Sequence, residues 1–198
     1  AELLLVEIAD PANAKAMRSV FAELGRTPGL PPLSRRVSPE LRGALVTVLK
    51  RHGMSDKQFR ETETWAAALM LAQAETKSAR SEYGIDRAII AAAGDKPVRE
   101  LEGVAAQLAI FDRLPETEQR DLLEAIVRDT ATRGDDAADL GKAWRDGDMD
   151  TIERETARGM LADPELRLAL FTGRNEAWAD RILSEMASGR RPLVAVGA

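Results

Sequence analysis

The sequence contains no cysteine and one histidine, His52. The first absence excludes disulfide frameworks, thiolate metal sites and cysteine nucleophiles together. It leaves the compartment open, since a periplasmic protein also does without cysteine. The second argues against a Ser-His-Asp triad and excludes a two-histidine metal site within this chain. No apolar run approaches the ~20 residues needed to cross a bilayer, and no signal-peptide pattern is visible. Positive charge is also short: Lys+Arg is 28 against Asp+Glu 33, a formal net charge of -5. Such a chain has no electrostatic excess with which to displace counterions from phosphates, so no nucleic-acid partner is expected. The pairs Arg35-Arg36 and Arg190-Arg191 are too small to change that. What is present is an ordinary globular mixture, 44% hydrophobic and 31% charged. A compact chain of this size buries about 70% of its unfolded surface, enough for one core or a core with a lobe.

Two short apolar runs stand at the ends. Leu3-Leu4-Leu5-Val6-Glu7-Ile8 reads as a buried strand, and so does Pro192-Leu193-Val194-Ala195-Val196 before Gly197 and Ala198. The chain opens on Ala1 rather than Met, and the second run stops where a strand should turn into a loop. A central strand needs neighbours on both sides, so flanking sequence is expected to be absent at both termini. Between the runs the pattern is almost all helix. Asp10 and Pro11 open a first helix whose stripe is Ala14, Met17, Val20, Phe21 and Leu24, with Gly25 as its stop. Arg26 to Val37, with three prolines after Thr27, reads as a loop and as the mobile segment. Ser38-Pro39 opens the next helix and Gly53 ends it; Ser55 caps a short piece around Phe59. Thr64 to Arg80 is apolar on every side at its centre, which predicts burial on most faces.

Gly84-Ile85-Asp86 starts a helix running to Gly94. Pro97-Val98-Arg99-Glu100-Leu101 is the one further strand, and helices follow from Gly103, Pro115, Asp136, Asp148 and Pro164. The last of these, to Ala187, has a break expected near Gly173. The expected fold is therefore helix-rich α/β. Strands near 2–8, 97–101 and 192–197 form a small sheet, covered by a mostly helical section from about 11 to 190, and 1–198 is read as a single domain.

Several segments carry a resemblance. They are Leu5-Val6-Glu7-Ile8; Tyr83-Gly84-Ile85-Asp86-Arg87; Lys96-Pro97-Val98-Arg99-Glu100-Leu101-Glu102; Gln107-Leu108 and Phe111-Asp112 with Leu114-Pro115; Ala143-Trp144-Arg145-Asp146-Gly147-Asp148; Arg174-Asn175 with Trp178 and Ile182; and Val194-Ala195-Val196-Gly197-Ala198. In this order and spacing, across nearly the whole chain, they resemble the TraB/GumN family, which also takes in the Tiki membrane-anchored proteases. The resemblance implies a metal-dependent hydrolase or protease built around two Gly-x-x-His motifs and nearby acidic residues. It also implies export to the periplasm or cell envelope for many bacterial members, and a link of the GumN branch to exopolysaccharide gene clusters. This chain departs from the pattern at both motifs. The first would lie before Ala1, and the second is cut after Gly197 and Ala198, which stand as its remnant. A divalent metal is therefore expected in the full-length protein and none in this fragment, which is expected to be inactive.

Four residues are candidates for the chemistry. Glu7, at the end of an apolar strand, is costly to bury alone and needs a cation, a metal or several donors. It reads as a metal ligand or as a base beside a metal-bound water, or more plainly as a strand-end glutamate facing solvent. Glu102 follows a strand directly and would meet Glu7 and Gly197 if the strands are parallel neighbours. Its plainer reading is a helix-start glutamate favoured by the macrodipole. Arg174 is the cation that would hold a carboxylate or steady an oxyanion, or else a structural partner of Glu7 or Glu102. Asn175 is its supporting donor. Asp86 reads as an N-cap and His52 as a solvated helix-end imidazole, while Trp65, Trp144 and Trp178 read as core. The leading function is a TraB/GumN-type hydrolase with a peptide or protein substrate. The alternatives are a non-catalytic envelope or polysaccharide-related binding protein, and a helical interaction module whose groove would lie along Thr64–Arg80.

Overall fold

The protein is described from a computed structural model, covering residues 1–9, 13–75, 85–132, 140–156 and 159–197. Asp10, Pro11, Tyr83, Gly84, Ala198 and the side chain of Asp86 lie outside the described residues. The fold is helix-rich α/β with one small parallel sheet, made by β1 (Leu3–Val6), β2 (Val98–Glu100) and β3 (Pro192–Ala195) in the order β2-β1-β3. Leu4 pairs with Val98 on one side and with Leu193 on the other. Pro192 is tolerated because it opens an edge strand, where its missing N–H leaves no central ladder bond unmade.

The chain forms two compact units. The first takes the described residues of 1–24, 77–112 and 170–198, and the second those of 25–76 and 113–169. The first unit contains the sheet, α1 (Ala14–Leu24), α4 (Ile85–Ala92), α5 (Val104–Asp112) and α10 (Gly173–Ala187). Every residue of β1 is buried, because both sheet faces are covered. Leu3 and Leu5 pack with Leu101 and with Trp178 and Ile182 of α10. Leu4 and Val6 pack with Ile89 and Ile90 of α4 and with Ala93. That is why β1 reads as an unbroken apolar run. Each of its side chains contributes about 1.5–3 kcal/mol on burial.

The second unit is helical, built on α2 (Arg42–Arg51), α3 (Thr64–Glu75), α6 (Glu116–Thr132), α7 (Leu140–Asp146), α8 (Met149–Thr156) and α9 (Pro164–Arg167). Trp65, Ala66, Ala67, Ala68 and Leu71 make α3 a buried helix, and Met70 is its exposed large apolar side chain. A partner groove along α3 has little apolar surface to offer. The break expected near Gly173 is a π-helical turn, Leu168–Thr172, after which α10 begins. Three expectations need correction. The Arg26–Val37 loop is tied down rather than mobile. Arg36 is 1% exposed and donates to the carbonyls of Pro31, Thr62 and Phe59 at 2.9, 2.6 and 2.5 Å. Trp144 is 65% exposed and packs in no core. His52 does cap α2, but its ring is engaged rather than solvated, with Nε2 2.5 Å from Glu75 Oε1.

Candidate functional site

The site lies at the carboxyl edge of the sheet, wholly within the first unit. Because all three strands run parallel, their exits fall side by side. The backbone continues the pairing one step beyond the ladder. The Leu101 amide donates to Val6 O at 2.7 Å, and the amides of Glu102 and Gly103 donate to Glu7 O at 3.2 and 3.0 Å. This sets Glu7 and Glu102 next to each other. Gly103 then turns the chain into α5 at φ +83, where an added Cβ would fall 2.6 Å from Glu100 Oε1. The Glu100 carboxylate itself reaches across to accept from the Ala9 amide at 3.2 Å. Arg181 of α10 donates to the Leu101 carbonyl and holds the exit of β2 from the other side.

Arg174 joins the two carboxylates. Its Nε donates to both Glu102 oxygens at 3.2 Å and its Nη2 to Glu102 Oε2 at 2.8 Å, a forked contact. The same Nη2 donates to Glu7 Oε2 at 3.1 Å, and Nη1 donates to the Leu170 carbonyl at 3.2 Å. One Nη1 hydrogen is left without a partner among the described residues, since the guanidinium carries five donors. The guanidinium carbon sits 4.6 Å from the ring centre of Trp178, one helical turn further along α10. Gly197 completes the cluster, with its amide 2.6 Å from Glu7 Oε1. A side chain at that glycine would press on the same oxygen, because its Cβ would lie 3.1 Å away.

Four of the expected residues thus come together: Glu7, Glu102, Arg174 and Gly197. Asn175, the next residue of α10, is exposed and bonds to none of them. The burial is graded, with side-chain exposure 10% at Glu102, 20% at Arg174 and 24% at Glu7. Glu102 is therefore the deeper anchor and Glu7 the more accessible oxygen pair. Two carboxylates share one guanidinium, so acidic groups outnumber the cation in the trio. An accessible carboxylate beside a fixed cation can accept a proton while the cation stabilises developing negative charge.

The donor set of this chain does not by itself fit a divalent metal here. The first unit offers carboxylates at this edge and has no histidine in its sequence. Both Glu7 oxygens accept hydrogen bonds, one from Gly197 and one from Arg174, and a dication at Glu7 Oε2 would stand beside a guanidinium. Among the described residues, Glu118, Asp163 and Glu165 of the second unit have carboxylate oxygens close enough to share an ion. There the Glu118 carboxyl is pushed above its ordinary range by desolvation first, and then by Asp163, Asp121 and Glu165. Asp163 already caps α9 by accepting from the amides of Glu165 and Leu166.

Sequence reasoning missed Glu100, Arg181 and the role of Trp178. The spacing of Arg174 and Trp178, four apart on a helix, was the legible signal for the last of these. Comparison with known proteins agrees with the motifs. The chain is 32% identical to the uncharacterized protein YbaP of Escherichia coli (strain K12), over all of this chain and 72% of that protein. The same identity and coverage hold for YbaP of Shigella flexneri. No solved structure matches. The model of the TraB/PrgY/gumN family matches residues 1–198. The chain belongs to the TraB/PrgY/gumN family.

Proposed function

We propose that the protein is a hydrolase acting on peptide bonds, with the carboxyl edge of the sheet as its working site. One observation carries this reading: Glu7, Glu102, Arg174 and Gly197, spread over 190 positions of sequence, meet within hydrogen-bond distance at the strand exits. Glu7, the more exposed carboxylate, takes the proton of an attacking water and passes it to the departing amine. Arg174 turns its spare Nη1 hydrogen to the carbonyl oxygen as negative charge builds there. Glu102 keeps that guanidinium in place through the fork.

The family likeness implies a metal held by histidines, and the one histidine of this chain is in the second unit. This 198-residue chain alone is therefore expected to be inactive and to bind no divalent metal tightly. Calorimetry with zinc, cobalt and manganese checks the second point, and one-to-one submicromolar binding refutes it. Cleavage is tested on a polypeptide extended to the length of the YbaP relatives, against a library of quenched fluorescent peptides. Cleavage is expected, with a loss of about 100-fold or more in Glu7→Gln. No cleavage of any peptide, or full activity in Glu7→Gln, sinks the reading.

A second reading is favoured by the pairing of both carboxylates with Arg174: the cluster is structural, and the protein is a non-catalytic binding protein of the cell envelope. The same assay separates the two. Under the second reading no polypeptide cleaves, and substitutions at Glu7 and Arg174 change only the melting temperature. The envelope location is a proposal resting on family likeness, tested by fractionating cells that express the extended protein.

A further inference from the structure

The position of a single nitrogen carries an inference about how this edge handles cations. Arg174 Nη2 lies 2.8 Å from Glu102 Oε2 and 3.1 Å from Glu7 Oε2. Two carboxylates on different strand exits therefore share one positively charged atom, as they would share a bound ion. We infer that Arg174 is the resident cation of the Glu7–Glu102 pair, that it bars a divalent metal from this pair, and that removing it creates a binding site for a hard divalent cation.

Four features support the inference. A dication at the shared position would sit against the guanidinium, a like-charge contact in a part-buried place. The guanidinium is not easily pushed aside, because the Glu102 fork, the Leu170 carbonyl and the Trp178 ring all hold it. With it in place, Glu7 and Glu102 have side-chain exposures of only 24% and 10%, and its removal takes away their shared counter-charge. Such a pair relieves its repulsion by taking a proton or a cation. The donors that the first unit supplies are carboxylate oxygens, with no histidine in that unit and no cysteine in the chain, so calcium or manganese suits them better than a soft metal. Two carboxylates make a weak site, with a dissociation constant on the order of a millimolar.

The inference does not rest on the hydrolytic reading. Cation uptake and melting are measured without substrate, so their failure leaves peptide cleavage to be judged by its own assay. The experiment uses the 198-residue chain, its Arg174→Gln and Arg174→Met variants, and the double variant Glu7→Gln/Arg174→Gln. Binding is read from loss of the free Mn²⁺ paramagnetic resonance signal, and stability from thermal melts with and without about 10 mM Mn²⁺ or Ca²⁺. Arg174→Gln is expected to melt lower than the unaltered chain, to take up one Mn²⁺ per chain, and to regain about 3–5 °C with the cation. The unaltered chain is expected to show neither uptake nor shift, and the double variant to lose both. If Arg174→Met folds only when the cation is added, that supports the inference too. A folded Arg174→Gln that takes up no cation overturns it. So does uptake by the unaltered chain that Glu7→Gln abolishes. Failure of both single variants to fold even with cation present also overturns it, because the ion is meant to replace the guanidinium.

Discussion

Arg36 shows how one side chain organises a stretch of the second unit. It is 1% exposed, and its direct partners are three carbonyls rather than a carboxylate. Burial pulls its pKa below the ordinary arginine value, while Glu116 and Asp56 at longer range oppose that. Removing it leaves the buried Phe59 carbonyl without its donor, frees the more accessible carbonyls of Pro31 and Thr62, and opens a void. Arg36→Ala is expected to cost about 3–5 kcal/mol in urea unfolding. Arg36→Lys should recover little, because one ammonium cannot reproduce the fork that reaches three carbonyls. A loss under about 1 kcal/mol would show that water replaces the guanidinium. None of this was legible in the letters. Arg35-Arg36 in a proline-rich loop looks the same whether the second arginine points to solvent or into the core. Arg174 was different: a lone arginine at the start of a late helix, beside two strand-end glutamates, has few places for its charge to go. Its pairing with both glutamates required coordinates, since Glu102 is 72 positions away.

At the scale of elements, α6 contains an unresolved charge conflict. Its first turn holds Glu116 and Glu118, a favourable placement for the helix dipole. Yet Glu118 and Asp121 both have raised pKa values, through desolvation first and then their acidic neighbours. An acid whose folded pKa is raised binds more protons folded than unfolded. Its contribution is therefore fully present below the unfolded value and is lost as pH rises through the folded one. Glu118→Gln is thus expected to melt higher than the unaltered chain at pH 7, with the difference gone below the ordinary value of 4.5. Paired melts across that range check this, and an equal gain at both ends would point to a cause other than charge. The helices and the sheet were legible as elements because their apolar patterns are strong. Leu3 to Val6 has no alternation because both of its faces are covered. Trp144 was misread because helical spacing alone does not say whether a stripe finds a partner.

At the scale of the molecule, each unit is assembled from separated stretches of chain. No composition shift marks such a division, which is why the sequence reads as one continuous domain. The sheet makes the first unit depend on both ends of the chain. A version ending at Gly189 lacks β3 and leaves β1 paired on one side only. Hydrogen exchange of that version is expected to show residues 3–6 and 98–100 unprotected, with α3 and α6 still protected. Unchanged protection at Leu4 and Leu5 would mean that β1 and β2 suffice. The strand order also has a consequence in time. The middle strand leaves the ribosome long before its second neighbour, and at typical translation speeds the gap is on the order of 10–40 s. During that interval one edge of the middle strand stays without its neighbour, and Leu3 and Leu5 wait for Trp178 to cover them. No partly made copy can bring the Gly197 amide to Glu7.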